Sequence, residues 1–292
     1  MEKPLVKCGQ FQARLADIQA RKGALDEALK KADNLDDLNR ISSSQRVLWE
    51  EIAVLQRLVM HGEFLELVTR EEEALQNFFG EEIRVPRLPK AVTPEMYHYW
   101  TKLGLQLHYL PEKKMGVQQS YPGWKIRPRE DEFYQQYHVE GMDELGGGWI
   151  MVEKERQPKA GTAFFDDPLG PVLESLRSRG RIDSLVENQM TRFFVSGNEL
   201  MRGEIRDSFA QALKVHFSQV HLPRAIEWNY LQNAFYPNWQ YGPAEWLEDE
   251  IGPNAMLFGG GETIKDGLMG LGDVAIDNAH SDIGFRLLVL FE

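Results

Sequence analysis

The chain has 292 residues, of which 42% are hydrophobic and 11% aromatic, enough to bury a core in one large or two ordinary domains. Its formal charge of −12 and isoelectric point near 5.2 argue against general nucleic-acid binding, which needs a basic face to displace counterions. One cysteine, Cys8, excludes an internal disulfide and any multi-cysteine metal or redox centre within one chain. Met1-Glu2-Lys3-Pro4 opens into a polar helical pattern, and no apolar run approaches membrane-spanning length. The expectation is therefore a soluble, cytoplasmic protein without membrane insertion, with surface display by a route that needs no cleavable signal left open.

Residues 10–80 read as helix. Leu15, Ile18, Leu25, Leu29 and Ala32 recur at three- and four-residue steps, interrupted by Lys22, and Leu48, Ile52, Leu55 and Val59 repeat the pattern. This predicts an antiparallel helical hairpin within residues 1–88. Its break is expected at Asn34 to Ser44, where Asp36, Asp37 and Ser42 to Ser44 offer N-cap oxygens. Gly62 is placed to bend the second helix and Gly80 to stop it. An apolar stripe does not say whose surface buries it, so the hairpin is either an oligomerisation or docking arm or a support packed on the C-terminal domain.

Pro86, Pro89 and Pro94 place a domain boundary near residue 88, leaving 89–292 as the second domain. Thr93-Pro94-Glu95 predicts a capped helix through Tyr97, Trp100 and Leu103. Pro111 to Arg129 reads as turn, Trp149 to Val152 as a strand, Gly161 to Pro171 as a loop, and Val172 to Arg177 as a short helix. Phe193 to Ser196 reads as a strand, and Glu204 to Phe217 as an amphipathic helix through Ile205, Phe209 and Leu213. Pro223 suits the first turn of a helix carrying Ile226, Trp228 and Tyr230. Six glycines between Gly259 and Gly272 favour turns, and Phe285 to Phe291 reads as a central, buried strand. Short elements, long loops and a few helices predict an α+β domain.

Leu222-Pro223 with Glu227-Trp228, then Glu245-Trp246, then Phe258-Gly259-Gly260, then Ile283-Gly284-Phe285-Arg286 occur in that order. Together they resemble the C-type-lectin-like fold of the formylglycine-generating-enzyme superfamily, and within it the variable proteins of diversity-generating retroelements. The resemblance covers about residues 220–291 and extends to roughly residue 90. It implies a C-type-lectin-like domain behind an N-terminal helical hairpin. It also implies a ligand-binding surface between the Gly-Gly and Ile-Gly-Phe-Arg phrases, at Glu262, Thr263, Ile264, Lys265, Met269, Leu271, Ala275, Ile276, Asp277, Asn278, Ala279, His280 and Ser281. Diversification in that family randomises adenines, often in Asn codons; Ile276 to Ser281 are reachable from such codons, whereas Glu262, Lys265 and Met269 are not.

The enzymes of the superfamily need groups that this chain lacks. The copper-binding cysteine pair is missing from the C-terminal region, and the helical arm has only His61 where iron-dependent sulfoxide synthases carry a histidine cluster. The tripeptides with which C-type lectins hold calcium and sugar are likewise missing. Glu245, Glu248, Asp249 and Glu250 are the remaining candidates for a hard cation, and Glu227 with Glu245 for an acid/base pair, each against a purely structural reading. No P-loop, nucleophile elbow or His-Glu-x-x-His is present. The expectation is a non-enzymatic protein, without cofactor or metal, that binds a protein or other macromolecular ligand and has helices suited to oligomerisation. A metal-dependent oxidoreductase of the same superfamily is the alternative.

Overall fold

The computed structural model describes residues 4–32, 34–116, 119–124, 142–154, 167–184, 186–241, 243–251, 254–259 and 271–291. Its first elements are α1 (Pro4–Lys30) and α2 (Leu35–Phe79). Leu15, Ile18 and Leu25 pack with Leu48, Ile52 and Leu55, so the two stripes close on each other. Arg14 bonds Glu51 at 2.8 Å and Gln45 donates to Asp26 at 2.6 Å. Partner numbers fall on α2 as they rise on α1, which makes the hairpin antiparallel.

The break lies earlier than expected. Asn34 Oδ1 accepts from Asp37 N at 2.8 Å at the start of α2, while Ser43 and Ser44 sit inside the helix and donate to the carbonyls of Asn39 and Arg40. A hydroxyl can bond the carbonyl one turn back, so a serine run does not force a helix start. Helix α2 runs on through Gly62. Gly80 does end it, at φ 77°.

Contacts divide the chain into compact units Met1–Glu72 and Glu73–Glu292, ahead of the expected boundary near residue 88. Leu75, Phe78 and Phe79 at the end of α2 belong to the core of the second unit, and Ile83 and Val85 pack against it. Apolar burial, rather than proline content, decides where contacts divide.

In the second unit α3 (Pro94–Lys102) is capped by Thr93, whose Oγ1 accepts from Met96 N at 3.3 Å. Trp100 anchors it by donating Nε1 to Leu213 O at 2.7 Å. Then come β1 (Leu105–Lys114), which includes part of the expected turn region, and β2 (Glu144–Glu153), which extends the expected Trp149–Val152 strand in both directions. Helices α4 (Gly170–Ser178), α5 (Gly197–Met201) and α6 (Gly203–Leu213) follow. The strand expected at Phe193–Ser196 is not formed. Phe194 takes φ 57°, and the buried Arg177 guanidinium donates to the carbonyls of Asp183, Gln189, Thr191 and Phe193 at 2.7–2.9 Å. Those acceptors are spent on a side chain instead of a ladder. Burial away from any directly bonded carboxylate lowers the Arg177 pKa to about 10. Helix α6 stops at Leu213, short of the expected Phe217, because Lys214 turns left-handed at φ 56°.

The rest is β3 (Val220–His221), α7 (Ala225–Ala234), β4 (Ala244–Ile251), β5 (Ala255–Gly259), β6 (Leu271–Ala275), β7 (Ile283–Phe285) and β8 (Leu288–Phe291). Pro223 lies just outside α7, before the N-cap Arg224. The strands form two four-stranded sheets in the orders β1-β2-β8-β3 and β6-β5-β4-β7, a mixed α+β architecture. Strand β8 is central, as expected of the last strand. The expected continuous strand from Phe285 to Phe291 is nevertheless split at Arg286 and Leu287, and its halves join different sheets. Helix α7 is buried from Ala225 to Asn233 and touches β2 of one sheet and β4 and β5 of the other, so it is their shared core.

Candidate functional site

Strand β4 is the spine of the site. It pairs antiparallel with β5 and parallel with β7. Glu245 faces both Gly259 and Gly284, Ala244 faces Ile283, and Gly259 faces Leu271. The residues that bracket 260–270 and those that follow Ser281 therefore meet at one end of the sheet. At the other end Ile251 faces Ala255, which faces Ala275, and Ile276 N donates to Asn254 O at 3.0 Å. Residues 276–282 thus run from one end of β4 to the other.

This run is fixed from beside α5. Asn198 N donates to Ile276 O at 2.9 Å, and Phe194 N donates to His280 O at 2.8 Å. Asn198 Nδ2 also donates to Asp277 Oδ1 at 2.7 Å. Ser196 starts α5 with a capping box, its Oγ accepting from Glu199 N while Glu199 Oε2 accepts from Ser196 N. The next residue must be small: a Cβ on Gly197 would lie 2.6 Å from Met256 Sδ and 3.1 Å from Ile276 Cγ1. Glycine lets the start of α5 close on the run.

Of the expected binding residues, Glu262, Thr263, Ile264, Lys265 and Met269 lie outside the described residues. Leu271 opens β6 and Ala275 ends it. Ala275, Asp277, Asn278, Ala279 and Ser281 are exposed, whereas Ile276 and His280 are half-buried. The His280 ring lies 6.2 Å from that of Trp246. The structure therefore gathers Ala275 to Ser281 on one tethered run and separates side chains that face solvent from two that face the protein.

Beneath the run the chain is ionic and aromatic. Ile283 and Phe285 are buried, and the next residue, Arg286, is 0% exposed. Its Nη2 and Nε bond Glu245 Oε1 and Oε2 at 2.7 and 3.0 Å, and Nη1 donates to Glu153 O. The guanidinium carbon stands 3.9 Å from the Trp239 ring centre. Trp228 Nε1 donates to Glu245 Oε2 at 3.4 Å, and Trp246 Nε1 to Val195 O at 2.9 Å. A second buried arginine, Arg192, bonds both Glu153 and Asp167; the two carboxylates hold its pKa above the usual range against the opposing effect of burial.

The acid/base and cation candidates are taken up structurally. Glu227 accepts from Arg224 N and Nε, both at 2.9 Å, at the start of α7, while Glu245 is paired with Arg286, so each has an arginine partner of its own. Glu248 bonds Arg206 at 2.8 Å and His221 at 3.1 Å. The hydrogen bond to Glu248 is the main cause of a raised His221 pKa. Asp249 Oδ2 accepts from Ala225 N at 2.6 Å, yet burial pushes its pKa up to about 6. Glu250, the fourth cation candidate, is exposed on β4, whose register shifts between Trp246 and Glu250. Among the described residues, no group of three His, Cys, Asp or Glu side chains is placed to hold a metal ion.

No protein-family model, curated protein or solved structure matches the chain.

Gly197 and Asn198, which hold the run in place, escape sequence reasoning. The Ser196-x-x-Glu199 box is a legible helix start, but nothing local says that this start lies against Ile276.

Proposed function

We propose that the chain is a non-enzymatic binding protein that presents residues around 262–281 to a protein or other macromolecular ligand. Its scaffold on this reading is C-type-lectin-like, of the kind used by the variable proteins of diversity-generating retroelements. The observation that carries the proposal is the contrast along the run. Ala275, Asp277, Asn278, Ala279 and Ser281 are exposed on a backbone tied at Asn254, Asn198 and Phe194, which passes directly into buried Ile283, Phe285 and Arg286. The exposed side chains of Asn278, Ala279 and Ser281 change at a cost of only about 0.5 kcal/mol each, because none fills a core cavity. The scaffold reading has separate support: Trp228, Glu245, Trp246 and Arg286, four residues on which the resemblance rests, all lie in the core.

The test is sequencing of the 3′ end of the gene, with its flanking DNA, across a natural population. Replacements should concentrate in codons 262–281, at adenines of a nearby template copy, and should spare Ile283, Phe285 and Arg286. Uniform, mostly synonymous variation along the gene would overturn the proposal. Physically, simultaneous replacement of Asn278, Ala279 and Ser281 should leave the thermal midpoint within a few degrees of the parent. A collapse of the fold would show that these side chains are structural.

A further inference from the structure

One carboxylate ties an edge strand of the first sheet to the spine of the second. Strand β3 lies at the end of the order β1-β2-β8-β3 and pairs with β8 over two residues, Val220 facing Val289 and His221 facing Leu288. So short an edge strand has little ladder of its own to hold it. A side chain reaches across instead: His221 Nδ1 lies 3.1 Å from both carboxylate oxygens of Glu248 on β4. Glu248 also accepts from Arg206 Nη2 of α6 at 2.8 Å. Its amide donates to the carbonyl of Pro223, two residues past His221, at 3.1 Å. The register of β4 on β5 shifts between Trp246 and Glu250, and such an irregularity lets the backbone at Glu248 bond outside its own sheet.

The other ring nitrogen decides which charge state this tie needs. His221 Nε2 lies 2.8 Å from the carbonyl oxygen of Ser218. A carbonyl and a carboxylate both accept, whereas a neutral imidazole has a single N–H to donate. Only the imidazolium, with a proton on each nitrogen, satisfies both partners. We propose that His221 is a pH-operated clasp: doubly protonated it ties β3 to β4 through Glu248, and loss of a proton removes one of its two bonds and the charge from the other, loosening β3 from β4. Arg206 keeps its own hold on Glu248 in either state, so only the link between the sheets responds. Around the ring, the bond to Glu248 favours the proton, burial opposes it, the Glu248 charge and the Ser218 carbonyl favour it, and Arg206 opposes it; β8 adds the apolar Leu288 and Val289. The balance raises the His221 pKa above its ordinary 6.5. The clasp is therefore fully formed below about pH 6.5 and is lost as pH rises through the folded value. Asp249, the next residue of β4, faces Ala225 N and the charges of Glu227, Arg224 and Glu248. Its raised pKa acts in the same direction as that of His221, and the test must separate the two.

The test is hydrogen exchange at the Glu248 amide, compared at each pH between the full chain and its His221→Gln variant. The neutral amide of that variant stands in for the deprotonated ring, and the comparison at equal pH cancels both the chemistry of exchange and the titration of Asp249. At about pH 5.5 the parent amide should exchange at least about threefold more slowly than the variant's, with the difference shrinking toward none by about pH 8.5. Equal rates at the lower pH, or one and the same ratio at both, would overturn the proposal. An NMR titration of the His221 ring in the unaltered chain needs no variant to fold: its midpoint should lie above 6.5, and a midpoint at or below that value would sink the clasp. In Glu248→Gln the midpoint should fall, and one that does not move would remove Glu248 as the partner and the proposal with it. The clasp is independent of the ligand reading, which none of these outcomes touches.

Discussion

Arg286 is where the run leaves the β4 sheet for the β8 sheet, and its removal is the sharpest test of what holds the run in place. In Arg286→Met the apolar stem is kept, but Glu245, 2% exposed, loses both short bonds at 2.7 and 3.0 Å and keeps only the Trp228 indole at 3.4 Å. Breaking a buried pair by removing one partner costs about 3–5 kcal/mol, since the remaining carboxylate is desolvated without compensation. The lost contact with Trp239 adds roughly 1 kcal/mol. Against a total stability of about 5–15 kcal/mol this is a large fraction. Urea unfolding at neutral pH, followed by tryptophan fluorescence, measures it. The double variant Glu245→Gln with Arg286→Met should recover a good part of the loss, because both charges then leave the interior together. A single-variant loss below about 1 kcal/mol, or a double variant as damaged as the sum of the singles, would refute the reasoning.

Two further outcomes concern the residues around the run. Burial raises the Asp249 pKa from 3.8 to about 6, so the folded state prefers the protonated acid; the stabilisation is complete below about pH 4 and is lost as pH rises through about 6. Asp249→Asn should therefore stabilise the protein at pH 7.5 by up to roughly 3 kcal/mol and leave it unchanged at pH 4. Equal thermal midpoints for variant and parent at pH 7.5 would show that the carboxylate is not strained there. Gly197→Ala places a methyl 2.6 Å from Met256 Sδ and 3.1 Å from Ile276 Cγ1. The expected loss is about 1–2 kcal/mol, with faster hydrogen exchange at Asn198 N, and an unchanged exchange rate would show that α5 and the run do not move together.

The hairpin was legible because its information is local. Leu15, Ile18 and Leu25 on one helix and Leu48, Ile52 and Leu55 on the other repeat at helical spacing, and the structure closes them together. Thr93 as a cap and Gly80 as a stop depend on one turn of backbone and were equally readable. Phe193–Ser196 misled because its aromatic, β-branched composition fits a strand, while Arg177 claims the Phe193 carbonyl and the Trp246 indole that of Val195. Serines at 42–44 misled because hydroxyls serve a cap and a helix interior alike.

The site divides in the same way. The stretch ending at Ile283-Gly284-Phe285-Arg286 was singled out only by what the resemblance implies, while periodicity predicted a buried last strand. Which side chains of Ala275 to Ser281 face outward, and that Gly197, Asn198 and Asn254 hold them, depend on contacts between segments far apart in the chain. The split at Arg286 is of the same kind. A run of alternating apolar residues looks continuous, and only a buried Glu245 on another strand makes it favourable to break the ladder and bury a guanidinium there. Sequence by itself determined helix periodicity, local caps and the balance of charge, since these act over a few residues; the pairing of strands and the identity of the exposed face were decided by tertiary structure, where desolvation and close approach select among local forms of similar energy.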